Sequence, residues 1–209
     1  MPSAAPGFTP KTLTFLRALK RNNRREWFHE RRADYDAHVH APMVAIVERL
    51  AVDFARVAPD FVASPKISMF RPWRDTRFSA NKAPLKTNVA AGFPHRALGR
   101  VQGAGLYFEV APEHVWIGGG AYARSKQEKG TLVTVHAVRE HIAAHHDELE
   151  ALVSASKFRK LLGKMQGDTA SRMPRGFDAD HPAAAVLKHK QFLAAREEAP
   201  AFAAQPDFY

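Results

Sequence analysis

No cysteine occurs among the 209 residues, so neither a disulfide framework nor a thiolate metal site is open to this chain. Long apolar runs are missing too. None approaches the roughly 20 residues of a membrane-spanning helix, which argues against a membrane partner. The opening, MPSAAPGFTPK, has neither the basic start nor the apolar segment of a secretory signal, and a cytoplasmic protein is the expectation. HExxH, a Walker loop, a nucleophile elbow and a dinucleotide fingerprint are all absent, and Gly118 to Gly120 is too short to count as the last. There is no internal repeat and no clear linker. Hydrophobic residues at 45% and charged residues at 25% are ordinary globular values. A single domain over 1–209 is the economical reading, with about 1–8 and 199–209 loosely ordered.

Acidic residues are scarce in the first half. Residues 1–104 hold 18 Lys/Arg and 8 Asp/Glu, whereas residues 105–209 hold 13 of each, so the net charge of +10 lies entirely in the first half. A basic half can attract phosphate-rich partners through counterion release. An arginine- and alanine-rich composition can equally raise the pI with no nucleic-acid role.

The excess is densest in RPWRDTRFSANKAPLK, where Arg71, Arg74, Arg77, Lys82 and Lys86 stand against one carboxylate, Asp75. Pro72 and Pro84 exclude a continuous helix or a central strand there, so an ordered loop is expected. KISMF, residues 66–70, reads as a short strand delivering the chain into it.

Upstream, Thr9-Pro10 is a helix start whose threonine hydroxyl can accept an orphan amide. Asn22-Asn23 breaks that helix and caps a second, from about Arg24 to Val39, and Pro42 opens a third carrying Met43, Val47, Leu50 and Phe54 at helical spacing. Pro59 ends it. Downstream, Thr87 to Phe93 resumes the sheet. Leu106, Phe108 and Val110 alternate with Tyr107 and Glu109, and after APEH come Val115, Trp116 and Ile117, the pattern of a hairpin. Phe108 should then face the core and Glu109 the other side. Gly118 to Gly120 would let another backbone or a ligand approach.

In the C-terminal part, Ser125 is a candidate cap for a helix reaching the histidines near 145. Asp147 with Glu150 has the form of a capping box, KFRKLLG is a helix ending at Gly163, and Pro182 opens a last helix, AAAVLKHK. The tail after Glu198 is either a wrap-around strand or loose.

The basic stretch and its surroundings resemble a bacterial family with fungal relatives, classed as a domain of unknown function (family 2461). Its hallmark is Arg-x-x-Arg-Asp-x-Arg-Phe followed by Asn/Asp-Lys, here Arg71, Arg74, Asp75, Arg77, Phe78, Asn81 and Lys82. The family pattern continues to a tyrosine where this chain has Leu85, so no role for that hydroxyl carries over. NNRREWF, the GGG after the hairpin and PRGFDADHP also look like family features, so the resemblance spans nearly the whole chain. It implies a site and no particular activity.

Guanidinium forks pair bidentately with carboxylates and phosphates, so Arg71, Arg74 and Arg77 can converge on an anion, with Lys82 as a mobile point charge. In an extended conformation Arg71, Asp75 and Arg77 share one face and Arg74 takes the other. Asp75 would act as acid/base or hold an arginine. Asp178, Asp180 and His181 can supply an acid and a base, although a residue just before Pro182 is also where a helix cap belongs. His141 with His145, and His38 with His40, are read as surface pairs, and no metal is assigned.

The alternative is a buried ion network with Trp73 and Phe78 as anchors. Burying charge costs several kcal/mol per ion, by order of magnitude, unless each is matched. Five cations beside one carboxylate are under-matched, so the missing anions come from Glu109, Asp178 or Asp180, or from a ligand. The expectation is therefore an α+β protein with N-terminal helices, a mainly antiparallel sheet over about 66–122, and C-terminal helices. A small anionic ligand would meet Arg71, Arg74, Arg77, Lys82, Asn81 and Glu109, with Asp75 and His181 as candidate catalytic groups. The first rival is a nucleic-acid-binding module stacking bases on Trp73 and Phe78; the second is a structural protein.

Overall fold

The structure, a computed structural model, describes residues 5–77, 79–98, 103–122 and 133–209. Phe78, Ser125 and residues 99–102 of the Gly-rich connection expected from Gly99 to Gly105 lie outside them. The fold is α+β: helices precede and follow strands of a five-stranded antiparallel sheet of β1 (Val89–Pro94), β2 (Gly103–Val110), β3 (Val115–Tyr122), β4 (Met165–Gln166) and β5 (Phe192–Glu198), ordered β1-β2-β3-β5-β4. Among the described residues no helix is long and apolar enough to cross a membrane.

By its internal contacts the chain divides into two compact units. The first comprises Met1–Phe93, Tyr107–Trp116 and Glu197–Tyr209; the second, Pro94–Leu106 and Ile117–Arg196.

In the first unit α1 spans Pro10–Arg21 with Thr9 as N-cap, and the Thr9 N–H donates to the Thr12 hydroxyl at 3.2 Å. Leu13, Phe15, Leu16 and Leu19 form its buried stripe. The expected helix over 24–39 is divided into α2 (Arg25–Glu30), α3 (Arg32–Tyr35) and a π-helical turn, Asp36–His40, that runs directly into α4 (Ala41–Val57). Pro42 explains the widened turn. It has no N–H for the carbonyl of His38 four residues back, and that carbonyl instead accepts the buried Thr12 hydroxyl at 2.6 Å. Proline thus joins α1 to the turn and, as expected, stands in the first turn of α4. Met43 and Val47 are fully buried, as their spacing implies, and the helix stops at Val57.

KISMF is not a strand. Ser64 and Pro65 start a single helical turn, α5 (Pro65–Ser68), and only Met69 makes a bridge, to Ala91 of β1 (Val89–Pro94). Serine followed by proline is a helix start that outweighs the apolar run. The hairpin forms as expected from β2 (Gly103–Val110) and β3 (Val115–Tyr122), its turn closed by Ala111 N–H donating to the His114 carbonyl at 2.8 Å. Phe108 stacks on Phe93 on the core side, with ring centroids 6.1 Å apart. After Glu198 the chain forms 3-10 turns at Pro200–Ala204 and Pro206–Phe208 rather than a strand, and the rings of Phe8 and Phe202 meet Phe208 edge-on.

In the second unit α6 (Val135–Ala144), α7 (His146–Ser154) and α8 (Ser156–Leu162) precede β4 (Met165–Gln166), α9 (Ala184–Leu187) and β5 (Phe192–Glu198). Val135, Ile142, Leu187 and Phe192 form its core. Thr134 caps α6, its hydroxyl accepting from Ala137 N–H at 3.1 Å. Three expectations change here. Asp147 lies inside the first turn of α7 instead of capping it, the last helix has four residues rather than eight, and the sheet extends past Tyr122 through β4 and β5. β5 passes so close to β3 that a Cβ on Gly118 would lie 2.6 Å from the Ala195 Cβ, so the glycines admit a backbone.

Candidate functional site

The basic loop hangs on neutral groups. Phe70 N–H donates to the Ala90 carbonyl at 3.1 Å, and Trp73 then bridges Leu85. Both loop prolines, which cannot donate, serve this bridge as acceptors: Lys86 N–H reaches Pro72 O at 2.7 Å and Arg74 N–H reaches Pro84 O at 2.9 Å. Leu85 is fully buried, and its other backbone edge is held by the side chain of Asn23. Asn23 Nδ2 donates to Leu85 O, and Leu85 N–H donates to Asn23 Oδ1, both at 3.0 Å. Asn23 therefore does the work of a neighbouring strand instead of capping α2, whose N-cap is Arg24. The Trp73 ring packs edge-on against Phe28 at 5.6 Å and tilted against His29 at 5.9 Å.

The charges hang from this frame in different ways. Arg77 forks onto Asp75, Nε to Oδ1 at 3.1 Å and Nη2 to Oδ2 at 2.8 Å, and its backbone N–H adds a third bond to Oδ1 at 3.2 Å. Those side-chain and backbone bonds, followed by the charges of Arg77 and Arg71, outweigh desolvation and hold the Asp75 carboxyl down at about 2. The pair stands on the surface, with side chains 48% and 77% exposed, and is not a buried network. Lys82 Nζ donates to the Thr76 carbonyl at 3.0 Å, and Asn81 Oδ1 accepts from Ala83 N–H at 2.9 Å in a local turn. Lys86 Nζ lies 4.9 Å from the centre of the Phe70 ring. Arg71 is exposed, whereas Arg74 Nε is buried with no hydrogen-bond partner among the described residues. That inside–outside division follows the alternation along the chain.

Arg71 opens onto a cavity of ≈480 Å3 in the first unit. Arg32, Lys66 and Arg71 bring cationic groups to its wall, and among the described residues no aspartate or glutamate lines it. Tyr35, Phe70 and Trp73 supply aromatic wall, and Val44 and Met69 aliphatic surface. Arg32 is itself steadied by Asp36, its Nε 2.8 and 2.9 Å from the two carboxylate oxygens. Burial, opposed by the Arg32 charge, pushes the Tyr35 phenol up to about 12, so it is a neutral wall at any physiological pH.

Glu109 is committed elsewhere. Its Oε2 accepts from Asn88 Nδ2 and, at 2.7 Å, from the Tyr107 hydroxyl, and its Oε1 lies 2.8 Å from His114 Nε2. Desolvation pushes this carboxyl up, but bonds from His114, Tyr107 and Asn88 together prevail and its pKa falls. Burial first, then the bond to Glu109, raises that of Tyr107. The carboxylate staples the residue before β1 to both sides of the hairpin, and Asn88 and His114 were not among the residues singled out in the sequence. Alternation already puts Tyr107 and Glu109 on one face, and the five-residue step from Glu109 to His114 spans the turn.

The family described as "Conserved hypothetical protein (DUF2461)" matches residues 11–209. The chain belongs to this family. No curated protein and no solved structure matches it. Of the residues on which the resemblance rested, Arg71, Arg74, Asp75, Arg77, Asn81 and Lys82 lie on one anchored loop; Phe78 lies outside the described residues. Leu85, at the end of that loop, is a buried apolar anchor.

His181 belongs to the second unit. Its Nδ1 accepts from Ala183 N–H at 3.0 Å, its carbonyl from Ala184 N–H at 2.8 Å, and its ring meets His146 at 5.3 Å. Asp178 Oδ1 accepts from Asp180 N–H at 3.1 Å. These are local turn contacts. His141 and His145 stack at 4.3 Å, and among the described residues no three His, Cys, Asp or Glu side chains form a cluster that could hold a metal.

Proposed function

We propose that the protein binds a small phosphate- or carboxylate-bearing molecule at the root of the basic loop. The observation that carries this is the cavity of ≈480 Å3 walled by Arg32, Lys66 and Arg71, with no carboxylate in its lining among the described residues. Its volume falls within the roughly 300–1,000 Å3 of small-molecule sites. Inside such a concavity a cation is less screened than on open surface, so an anion there recovers more of its interaction. Arg74 Nε supports the reading from the other face of the loop, because a buried donor without a partner is satisfied by an anion's oxygen or by water.

Within this reading Asp75 orients Arg77. A carboxyl held at about 2 is a weak base near neutrality, which favours orientation over proton transfer. Glu109, saturated by three neighbours, contributes to the hairpin rather than to the ligand. Thermal melting in inorganic phosphate against chloride at matched ionic strength tests the proposal. Phosphate at about 100 times Kd should stabilise the wild type by about 2.7 kcal/mol, and Arg71→Ala and Lys66→Ala should each fold normally and lose most of that stabilisation. A wild type indifferent to phosphate, or variants that respond as it does, would refute the proposal.

A further inference from the structure

The cavity beside Arg71 is larger and more apolar than a bare anion needs. A tetrahedral phosphate or a carboxylate group fills only a small part of ≈480 Å3, and the rest is bounded by Tyr35, Phe70, Trp73, Val44 and Met69. Left to water, that wall keeps its aromatic surface wet at a free-energy cost that an apolar ligand body removes.

The walls are also fixed before anything binds. Trp73 is braced by Phe28 and His29, and Tyr35 packs edge-on against Phe28 at 5.0 Å and tilted against Phe15 at 5.9 Å. Phe70, 38% exposed, rests edge-on against Tyr107 at 5.9 Å. Side chains already ordered lose little entropy on binding, so contact with them adds to affinity with small offset. The cations stand differently: Lys66 and Arg71 are exposed and enter no hydrogen bond among the described residues, while Arg32 is oriented by Asp36.

We propose, resting on the anion-binding reading above, that the ligand is amphiphilic: a flat apolar or aromatic body bearing one phosphate or carboxylate. The body lies against the aromatic wall and the charge is met by Arg71 and Lys66. A bare inorganic anion is then a fragment of the ligand, not the ligand.

Calorimetric titration with phenyl phosphate, inorganic phosphate and phenol at one ionic strength tests this. Phenyl phosphate should bind at least about ten-fold tighter than either fragment. Phe70→Ala and Val44→Phe, which strip or fill the apolar wall, should cut its advantage over inorganic phosphate below about three-fold. Trp73→Ala should act likewise, and the two milder variants carry the test if Trp73→Ala does not fold. Benzoate in the same assay separates a carboxylate preference from a phosphate preference. Equal affinities for phenyl phosphate and inorganic phosphate overturn the amphiphilic ligand and leave the anion site standing. No heat with either anion overturns both.

Discussion

Asn23 is the residue whose removal says most about how the basic loop is held. Its two bonds to Leu85, both 3.0 Å, satisfy the N–H and the C=O of a residue whose surface is fully buried. Asn23→Ala leaves both groups without a partner. A buried polar group so orphaned costs about 1–3 kcal/mol. Asn23 is only half-buried, so water relieves part of this, and about 2–4 kcal/mol for the pair is the expected loss. The neighbour Asn22 supplies a matched control. Its Nδ2 donates to Ala18 O at 3.0 Å, but that carbonyl also accepts the Asn22 backbone N–H at 3.0 Å. Asn22→Ala orphans nothing and should cost at most about 1 kcal/mol.

Urea unfolding distinguishes the two substitutions. With a slope of about 2 kcal/mol/M, Asn23→Ala should lower the midpoint by roughly 1–2 M and Asn22→Ala by less than about 0.5 M, both at unchanged slope. Amide exchange gives the local reading: Leu85, Arg74 and Lys86, whose N–H groups form the clamp and the rungs beside it, should lose protection together in Asn23→Ala. Equal midpoints for the two variants, or Leu85 protected as before, would refute the view that a side chain stands in for a strand at this edge.

Two further outcomes follow from the second staple and from the glycines. The folded-state pKa of Glu109 lies below its reference of 4.5, so its contribution is full above that value and is lost as pH falls through the depressed one. Melting temperature below pH 4.5 should therefore fall more steeply in the wild type than in Glu109→Gln, and parallel profiles would exclude the staple. Gly120→Ala, at φ +151 and with its Cβ 2.8 Å from Leu193 Cα, should destabilise by more than about 2 kcal/mol. Gly163→Ala, at φ +73 and ψ −90 with open space around it, meets backbone strain but no clash and should destabilise less than Gly120→Ala; an equal melting-temperature loss would count against the close approach of β5.

What could be read from the sequence was what is periodic or local. The stripe of α4, the alternation of β2 and the stop at Gly163 each depend on neighbours within one element, and each appears where expected. FLAAREE was not recognised as a strand, since alanine, arginine and glutamate favour helix; β5 exists because Gly118 and Gly120 leave room for its backbone. At the site, the charge surplus was visible and so was Asp75 two residues from Arg77. The cavity was not, because Arg32 and Tyr35 come from elements some forty residues upstream of the loop and carry no motif. In the sequence Asn22-Asn23 reads as a helix breaker and as the cap of the next helix, but Asn22 alone ends α1, which leaves Asn23 available for another task.

The question raised by five cations and one carboxylate has a divided answer. Arg77 takes Asp75, Lys82 a carbonyl dipole and Lys86 an aromatic face, while Glu109 is spoken for by Asn88, Tyr107 and His114. None of these ion contacts closes the loop. Closure rests on the Trp73–Leu85 bridge, the carbonyls of Pro72 and Pro84, the Asn23 clamp and the burial of Leu85, all of them neutral. Burial of one leucine side chain alone contributes about 1.5–3 kcal/mol, more than the roughly 0–1 kcal/mol typical of an exposed ion pair. Each of these holds is made without a guanidinium. The proposed anion site gives the concentration of arginine on this loop a use, and Arg71, at the wall of the cavity and outside every ion pair described, is where that proposal is most exposed to test.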